Sequence, residues 1–356
     1  MLSKEGKEKL EKQHYKIIGN HSSIKVCGWT KKMIKGEGNC YKHKFYGIRS
    51  NQCLQMSTSF SCANRCTFCW RDYKAPVSKE WQWEIDDPKE ILDQSIKAHI
   101  HMLNGYPGHP KTIQEFYKEA LTIKHVALSL IGEPIIYPKI NELIDECHKR
   151  GISTFLVTNA QYPEQIRNLK PITQLYYSVD APNKEILKQI DNPLFEDYWE
   201  RLLESLDILA ERKDRTCIRL TLVKKINMTD LEGYATLINR GNPDFIELKS
   251  YMLLGASKDR LTLDNAPFHE DVVKFTKTLI KHLPNYDIVS EHIPSRVILL
   301  AKKEFKINNV WHTWIDFNKE FTKSNILPTP ETGLSGKGTL ENMNKPIKEL
   351  ELWEED

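Results

Sequence analysis

Of the eight cysteines in this 356-residue chain, six fall between positions 27 and 69. In a reducing cytosol such crowding points to metal or redox chemistry rather than structural disulfides. Cys62, Cys66 and Cys69 stand as C-x3-C-x2-C within CANRCTFCWRD. Three thiolates on one loop can grip three corners of a cubane iron-sulfur cluster, and without a fourth nearby Cys one iron stays open to an outside ligand. A zinc knuckle would need a fourth ligand, for which Cys53 is the candidate, and an x3-then-x2 spacing with Phe68 just before the last Cys suits zinc modules poorly. Cys147 and Cys217 read as ordinary buried cysteines.

Cys27, Cys40 and Cys53 are thirteen residues apart in each step, but their flanks (VCGWT, NCYKH, QCLQM) share nothing further, so a repeat is rejected. From spacing alone, ligands of a second cluster and scattered structural cysteines stay equally open. Charge sharpens interest in this segment: residues 1 to 50 carry a local +8, against −5 for the rest of the chain. That asymmetry fits an anionic partner or a solvated basic face.

The elements that must position these residues follow from patterning. Asp87 can cap a helix with Pro88 at its first position and an apolar stripe of Leu92, Ile96, Ile100 and Leu103. Strands are expected over 52–59, 125–131, 152–157, 174–179, 216–223 and 244–249, separated by helical segments near 138–149, 162–169, 183–211 and 229–240, with a helix over 268–282 at the end. Alternating βα units argue for a parallel sheet, and six units are too few to close an eight-stranded barrel. The expected fold is therefore α/β, an open partial (β/α)6 barrel. Ligands gather where parallel strands end. The candidates there are Gly132, Glu133 and Pro134, then Thr158, Asn159 and Ala160, then Ser178 and Asp180, then Thr221 and Val223, and last Lys249 and Tyr251.

The cysteine spacing and Phe68 match the radical S-adenosylmethionine (SAM) enzymes, whose fold is also an open partial barrel. The GEP of Gly132 to Pro134 resembles the segment that holds the SAM amino group, and TNA at 158–160 resembles the usual Thr-Asn-Gly, with Ala160 a departure that touches the turn geometry. The match sharpens further. CYKHKFYGI around Cys40, CLQMS before the cluster loop, LSLIGEPIIYP, YYSVDAP and the late WIDF resemble the 4-demethylwyosine synthases of the archaeal wybutosine pathway, from about residue 20 to about residue 321.

That resemblance implies a substrate, phenylalanine tRNA carrying N1-methylguanosine 3′ of the anticodon, and pyruvate as co-substrate, two of whose carbons close a third ring. It implies two 4Fe-4S clusters, one on Cys62, Cys66 and Cys69 with SAM on its open iron and a second on Cys27, Cys40 and Cys53. Cleavage of SAM yields a 5′-deoxyadenosyl radical that takes hydrogen from the N-methyl group. Lys42 matches the family lysine proposed to form a Schiff base with pyruvate, with Lys44 as runner-up. Phe68, Gly132, Glu133, Pro134, Thr158, Asn159, Ser178, Asp180, Thr221, Val223 and Lys249 are expected to contact SAM.

Lys31, Lys32, Lys35 and Arg71 are expected to meet tRNA phosphates, with Trp70, and then Trp311 and Trp314, as stacking platforms for the splayed base. No flavodoxin-like stretch precedes residue 20, so an external one-electron donor of flavodoxin or ferredoxin type is expected. The N-terminus is too charged for a secretory signal and no apolar run approaches a bilayer span, so a cytoplasmic monomer without membrane contact is expected. The expected division is a basic extension (1–50), the barrel (51–285), a C-terminal extension packing on it (286–323) and a flexible acidic tail (324–356). Another two-cluster RNA modifier, such as a methylthiotransferase, is the alternative, although no terminal β-barrel module is evident.

Overall fold

A computed structural model describes residues 2–72 and 74–335. A helix α1 (Lys4–Lys12) leads into a hairpin of β1 (Lys16–Ile18) and β2 (Ser22–Ile24); α2 (Gly28–Ile34) and α3 (Tyr41–Tyr46) follow before β3 (Cys53–Ser57). Then come α4 (Pro88–Met102), α5 (Gln114–Ala120), β4 (His125–Leu128), α6 (Ile140–Lys149), β5 (Ser153–Thr158), α7 (Pro163–Arg167) and β6 (Gln174–Ser178). The chain continues through α8 (Lys184–Asp191), α9 (Tyr198–Glu211), β7 (Arg215–Leu222), α10 (Leu231–Gly241), β8 (Phe245–Ser250), α11 (His269–Leu279), β9 (Tyr286–His292) and β10 (Val297–Lys302). Short pairs β11 (Lys306–Ile307) with β12 (Val310–Trp311) and β13 (Trp314–Ile315) with β14 (Ile326–Leu327) close the described chain.

One ten-stranded sheet runs β1-β2-β3-β4-β5-β6-β7-β8-β10-β9. Its centre, β3 to β8, is six parallel strands, the open α/β arrangement expected. Antiparallel strands extend both edges: β2 on β3, and β10 with β9 on β8. Strands from before residue 50 and from after residue 285 thus share one sheet with the six central ones.

Local chemistry accounts for the element ends. Asp87 caps α4 through the N–H groups of Lys89 (2.9 Å) and Glu90 (3.2 Å), with Pro88 at the first position. Of the expected stripe, Leu92 and Leu103 are fully buried and Ile96 packs half-buried against the core, while Pro88, Ile91, Ser95 and His99 are buried beside them. The expected helical stretch 183–211 is two helices, because Asn192 turns left-handed (φ 41°) and Pro193 follows it.

Two apolar layers flank the sheet. One lies between sheet and helices; the other fills the concave side, where Phe155, Val157, Tyr176, Cys217, Phe245 and Leu299 meet Tyr41, Phe45 and Tyr46 of α3. Helix α3 is thus a plug inside the partial barrel, and burying each such aromatic stabilises it by about 1.5 to 3 kcal/mol. Gly47 ends the plug at φ 79°, where a Cβ would stand 3.0 Å from the Trp314 ring. The Trp314 indole donates to the Lys44 carbonyl (2.9 Å) and the Thr313 hydroxyl to that of Phe45 (2.6 Å).

The Pro/Gly-rich stretch after Phe321 was expected to be flexible, but as far as Ser335 it is a docked strap. Thr329 N–H donates to the Trp311 carbonyl (2.7 Å), Gly333 N–H to Val289 (2.7 Å), and Ser335 to Glu291 (2.6 Å). Backbone hydrogen bonding decides this, which composition does not reveal. The acidic segment from 336 lies outside the described residues.

Candidate functional site

The loop after β3 carries Cys62, Cys66 and Cys69, and the end of α8 and the segment after β8 pin it. Arg65 N–H donates to the Asp191 carbonyl (2.9 Å) and Thr67 N–H to Ile190 (2.7 Å). Arg260 Nε donates to the Thr67 carbonyl (2.9 Å), and its Nη2 to that of Cys69. Asn64 N–H (3.4 Å) and Asn159 Nδ2 (3.6 Å) approach Cys62 Sγ. Burial pushes the Cys62 thiol up to about 12 and Cys66 well above its ordinary value. Phe68 packs half-buried against the main core.

Beside this loop the strand ends converge. Glu133 is 2% exposed and accepts from Asn159 N–H (2.8 Å), while its own N–H donates to the Ser61 carbonyl (2.8 Å). Burial raises its carboxyl to about 7. Gly132 has φ +69°, and a Cβ on it would sit 1.9 Å from the Ser59 carbonyl oxygen, so only glycine fits. Pro134 starts a short turn whose carbonyl takes the Thr58 hydroxyl (3.0 Å). The Thr158 hydroxyl accepts from Ala160 N–H (3.2 Å), and Ala160 is itself left-handed (φ 58°), the conformation that a glycine adopts freely. Asp180 accepts from Thr221 N–H (2.9 Å), and Val223 N–H donates to Asn227 (2.6 Å). Tyr251 is buried with its hydroxyl on Ser257 (2.8 Å).

The other three cysteines come together from separate elements: Cys27 caps α2, Cys40 caps α3 and Cys53 opens β3. They lie close enough that ionising Cys27 would raise both Cys40 and Cys53; burial already pushes those two thiols up to about 12. All six cysteines are free and half-buried. Among the described residues no three His, Cys, Asp or Glu side chains converge on a single ion. In each place the donor set is three thiols, the chemistry of iron-sulfur ligation.

Lys42 reaches from α3 into the barrel, 4.5 Å from the centre of the Tyr176 ring and 5.7 Å from that of Phe155. Its charge is felt by Cys27, Cys40 and Cys53. Lys44 faces away and pairs with Glu331 (3.2 Å).

Comparison with known proteins decides the family. The profile described as the radical SAM superfamily matches residues 56–238, and that described as wyosine base formation matches 240–302. A structure of TYW1 with a lysine-pyruvate adduct bound is 38% identical, with TM-score 0.77, over 87% of this chain and 99% of that one. The chain belongs to the radical SAM superfamily and, within it, to the TYW1 family. An archaeal TYW1 structure is 35% identical with TM-score 0.70 and the same coverage. The S-adenosyl-L-methionine-dependent tRNA 4-demethylwyosine synthase of Oryza sativa subsp. japonica is 52% identical over 87% of this chain and 48% of its own length. The chain thus spans about half the length of the curated relatives it matches.

Within this TYW1-family chain, several expected residues occupy other surroundings. Lys249 is next to Arg219, Cys40 and Glu247; burial, then Arg219, lowers its ammonium to about 8. Trp311 is 8% exposed, and Trp314 is engaged by Lys44, so both are packing residues. Trp70 is 44% exposed. Arg71 donates to the Phe60 carbonyl (2.6 Å), Lys35 pairs with Glu37 (3.4 Å), and Lys31 and Lys32 lie half-buried on α2. No helix among the described residues is long and apolar enough to cross a membrane.

Sequence reasoning missed Arg219 and Arg260. An arginine inside TCIRLTLV, two residues from Cys217 and so on the same strand face, was the available signal for the first. Arg260 lies 191 residues from the carbonyl it holds, beyond any local pattern.

Proposed function

We propose that this chain is a tRNA 4-demethylwyosine synthase, a carbon-carbon lyase that condenses N1-methylguanosine of phenylalanine tRNA with pyruvate to form the tricyclic base. The observation that carries the reading is the Lys42 amine inside the barrel, near the thiols of Cys27, Cys40 and Cys53 and over two aromatic rings. The related structure that holds a lysine-pyruvate adduct supports it.

In this reading Cys62, Cys66 and Cys69 hold one 4Fe-4S cluster, and Cys27, Cys40 and Cys53 hold a second. Held by Cys62, Cys66 and Cys69 and reduced by an external one-electron donor, a cluster there would supply the electron for reductive cleavage of SAM, the source of the radical needed at the N-methyl group.

The chain's own residues do the rest. Ionised Glu133 pairs with the SAM ammonium, and Gly132 lets the backbone approach it. Phe68, Pro134, Thr158, Asn159, Ser178, Asp180, Thr221 and Val223 complete the wall. Lys42 Nζ adds to the keto carbon of pyruvate and expels water, giving an imine that fixes the co-substrate. Its aromatic neighbours keep water from the imine. Lys31, Lys32, Lys35 and Arg71 contribute to phosphate binding, and Trp70 offers a face for the splayed base.

The test is a single anaerobic turnover of reconstituted protein with dithionite, SAM, isotopically labelled pyruvate and N1-methylguanosine-containing tRNA, with nucleosides read by mass spectrometry. A labelled tricyclic base is the expected product. SAM cleavage with an unchanged base would overturn the substrate assignment.

A further inference from the structure

In β6, β7 and β8 almost every residue is buried. The exceptions are Ser178, Arg219, Thr221 and Lys249, the half-buried positions of these strands. Strand periodicity puts Arg219 and Thr221 on the same face as Cys217, and Lys249 on the same face as Phe245 and Glu247. Cys217 and Phe245 belong to the concave-side layer, so these polar groups line the barrel interior.

Four cations share this interior; Arg215 lies at the far end of its strand, over the Tyr46 and Phe245 rings and donating to Gln174 Oε1 (3.2 Å) and the Thr313 carbonyl (2.8 Å), and the other three are Lys42, Arg219 and Lys249. Among the described residues none makes an ion pair at 4.0 Å or less. Glu247 is opposite Arg219 in the strand register, but its Oε1 accepts the Tyr46 hydroxyl (2.9 Å). The Nη2 of Arg219 donates to Ser178 Oγ (3.2 Å), while its buried Nε finds no hydrogen-bond partner. Lys249 Nζ has the Ser295 carbonyl (3.0 Å) and lies over the Tyr41 ring (5.8 Å). Asp180 and Glu247 offset part of the Arg219 charge, and Glu247 part of that of Lys249, but buried cations with a donor unspent still gain from an anion that meets them directly.

The three belong to one locality. Cys40 feels both Lys42 and Lys249, and Cys217 feels both Lys42 and Arg219. We propose that Arg219 and Lys249 form the subsite for the carboxylate of the 2-oxo acid whose keto carbon Lys42 engages. This rests on the reading of Lys42 as the imine-forming lysine. Arginine supplies the planar fork that matches a carboxylate, and lysine a point charge on its other side. The SAM carboxylate is the competing ligand. Arg219 spans from Ser178 and Asp180 on the SAM side to Tyr41 of the plug helix, while Lys249 stands beside Cys40 of the second set and Lys42 beside all three of its thiols; the position of the two lysines favours the oxo acid.

The experiment uses the reconstituted full chain with two electrophiles, pyruvate and its uncharged methyl ester, trapped on the lysine by cyanoborohydride and located by peptide mass spectrometry. Hydrogen bonds to charged groups set the expected size: Arg219→Gln raises half-saturating pyruvate by about ten- to a hundredfold. Methyl pyruvate traps equally in parent and variant, Arg219→Lys recovers part of the loss, and Lys249→Gln repeats the pattern independently. SAM affinity, measured by equilibrium dialysis, stays unchanged. Unaltered pyruvate saturation, an equal loss with the ester, or a loss confined to SAM affinity would each overturn the subsite. Absence of any adduct in the parent protein would overturn the Lys42 reading instead. Pyruvate binding followed by saturation-transfer NMR in Arg219→Gln would then still decide the carboxylate site.

Discussion

Cys62, Cys66 and Cys69 share one loop, whereas Cys27, Cys40 and Cys53 arrive from the starts of α2, α3 and β3. In the first set the spacing itself encodes the site, and the fold only has to hold the loop by its backbone. In the second the fold is the site, since nothing local brings the thiols together. The plug helix α3 carries both a thiol and the Lys42 amine into the concave side, so packing of Tyr41, Phe45 and Tyr46 is a condition of that chemistry. A binding loop tolerates drift in the fold around it, but a site assembled by packing does not.

The largest effect separates the two sets by substitution. Cys62→Ala should lose about half the iron and sulfide and all SAM cleavage, read as 5′-deoxyadenosine. Cys40→Ala should lose the other half, retain SAM cleavage and lose base formation. If Cys40→Ala abolishes SAM cleavage with the first cluster intact, the two regions are not independent and the comparison breaks.

How much of this could be read beforehand follows the same division. The parallel order β3 to β8 was legible because buried strands alternate with amphipathic helices at short range. The places of Glu133, Asn159 and Asp180 just beyond the ends of those strands were legible for the same reason. The edge strands β1, β2, β9 and β10 were not. β1 and β2 have only three residues each, and the pairing of β10 with β9 shifts register between Leu299 and Leu300. That Lys249 has Cys40 and Arg219 as neighbours was not legible: Cys40 is brought in by the plug helix, which has only six residues and no lasting periodicity, and Arg219 by the pairing of β7 with β8. The docking of residues 324–335 rests on long-range backbone hydrogen bonds, which leave no compositional trace.

A smaller effect probes the strand ends that support the first set. Burial raises Glu133 to about 7 from an ordinary 4.5, so between these values the folded protein holds a proton that the unfolded chain has released. The carboxyl therefore favours the fold below pH 4.5, and that contribution fades as pH rises through about 7. A cationic ammonium needs the ionised form, so SAM affinity should rise with pH up to about 7 and then level off. Glu133→Gln should weaken SAM binding about ten- to a hundredfold and flatten that pH dependence. Equilibrium dialysis across pH 5.5 to about 8.5 checks both, and an unchanged slope in the variant would remove Glu133 from the role.

The smallest effect concerns the backbone of the same region. Ala160 is fully buried at φ 58°, with its carbonyl held by the Ser205 hydroxyl (2.8 Å) and its N–H by Thr158. An alanine there costs about 1 to 2 kcal/mol of left-handed strain. Glycine would relieve it, but it forfeits about 0.8 kcal/mol of methyl burial and adds freedom to the unfolded chain. Ala160→Gly should therefore stay within about 1 kcal/mol of the parent in urea unfolding. Ala160→Val, whose branched side chain resists this conformation, should lose more than about 2 kcal/mol and loosen Asn159 from Cys62. Equal stability of the valine and glycine variants would mean that the turn beside the cysteine loop is not left-handed. The loop would then owe its place to α8 and Arg260 alone.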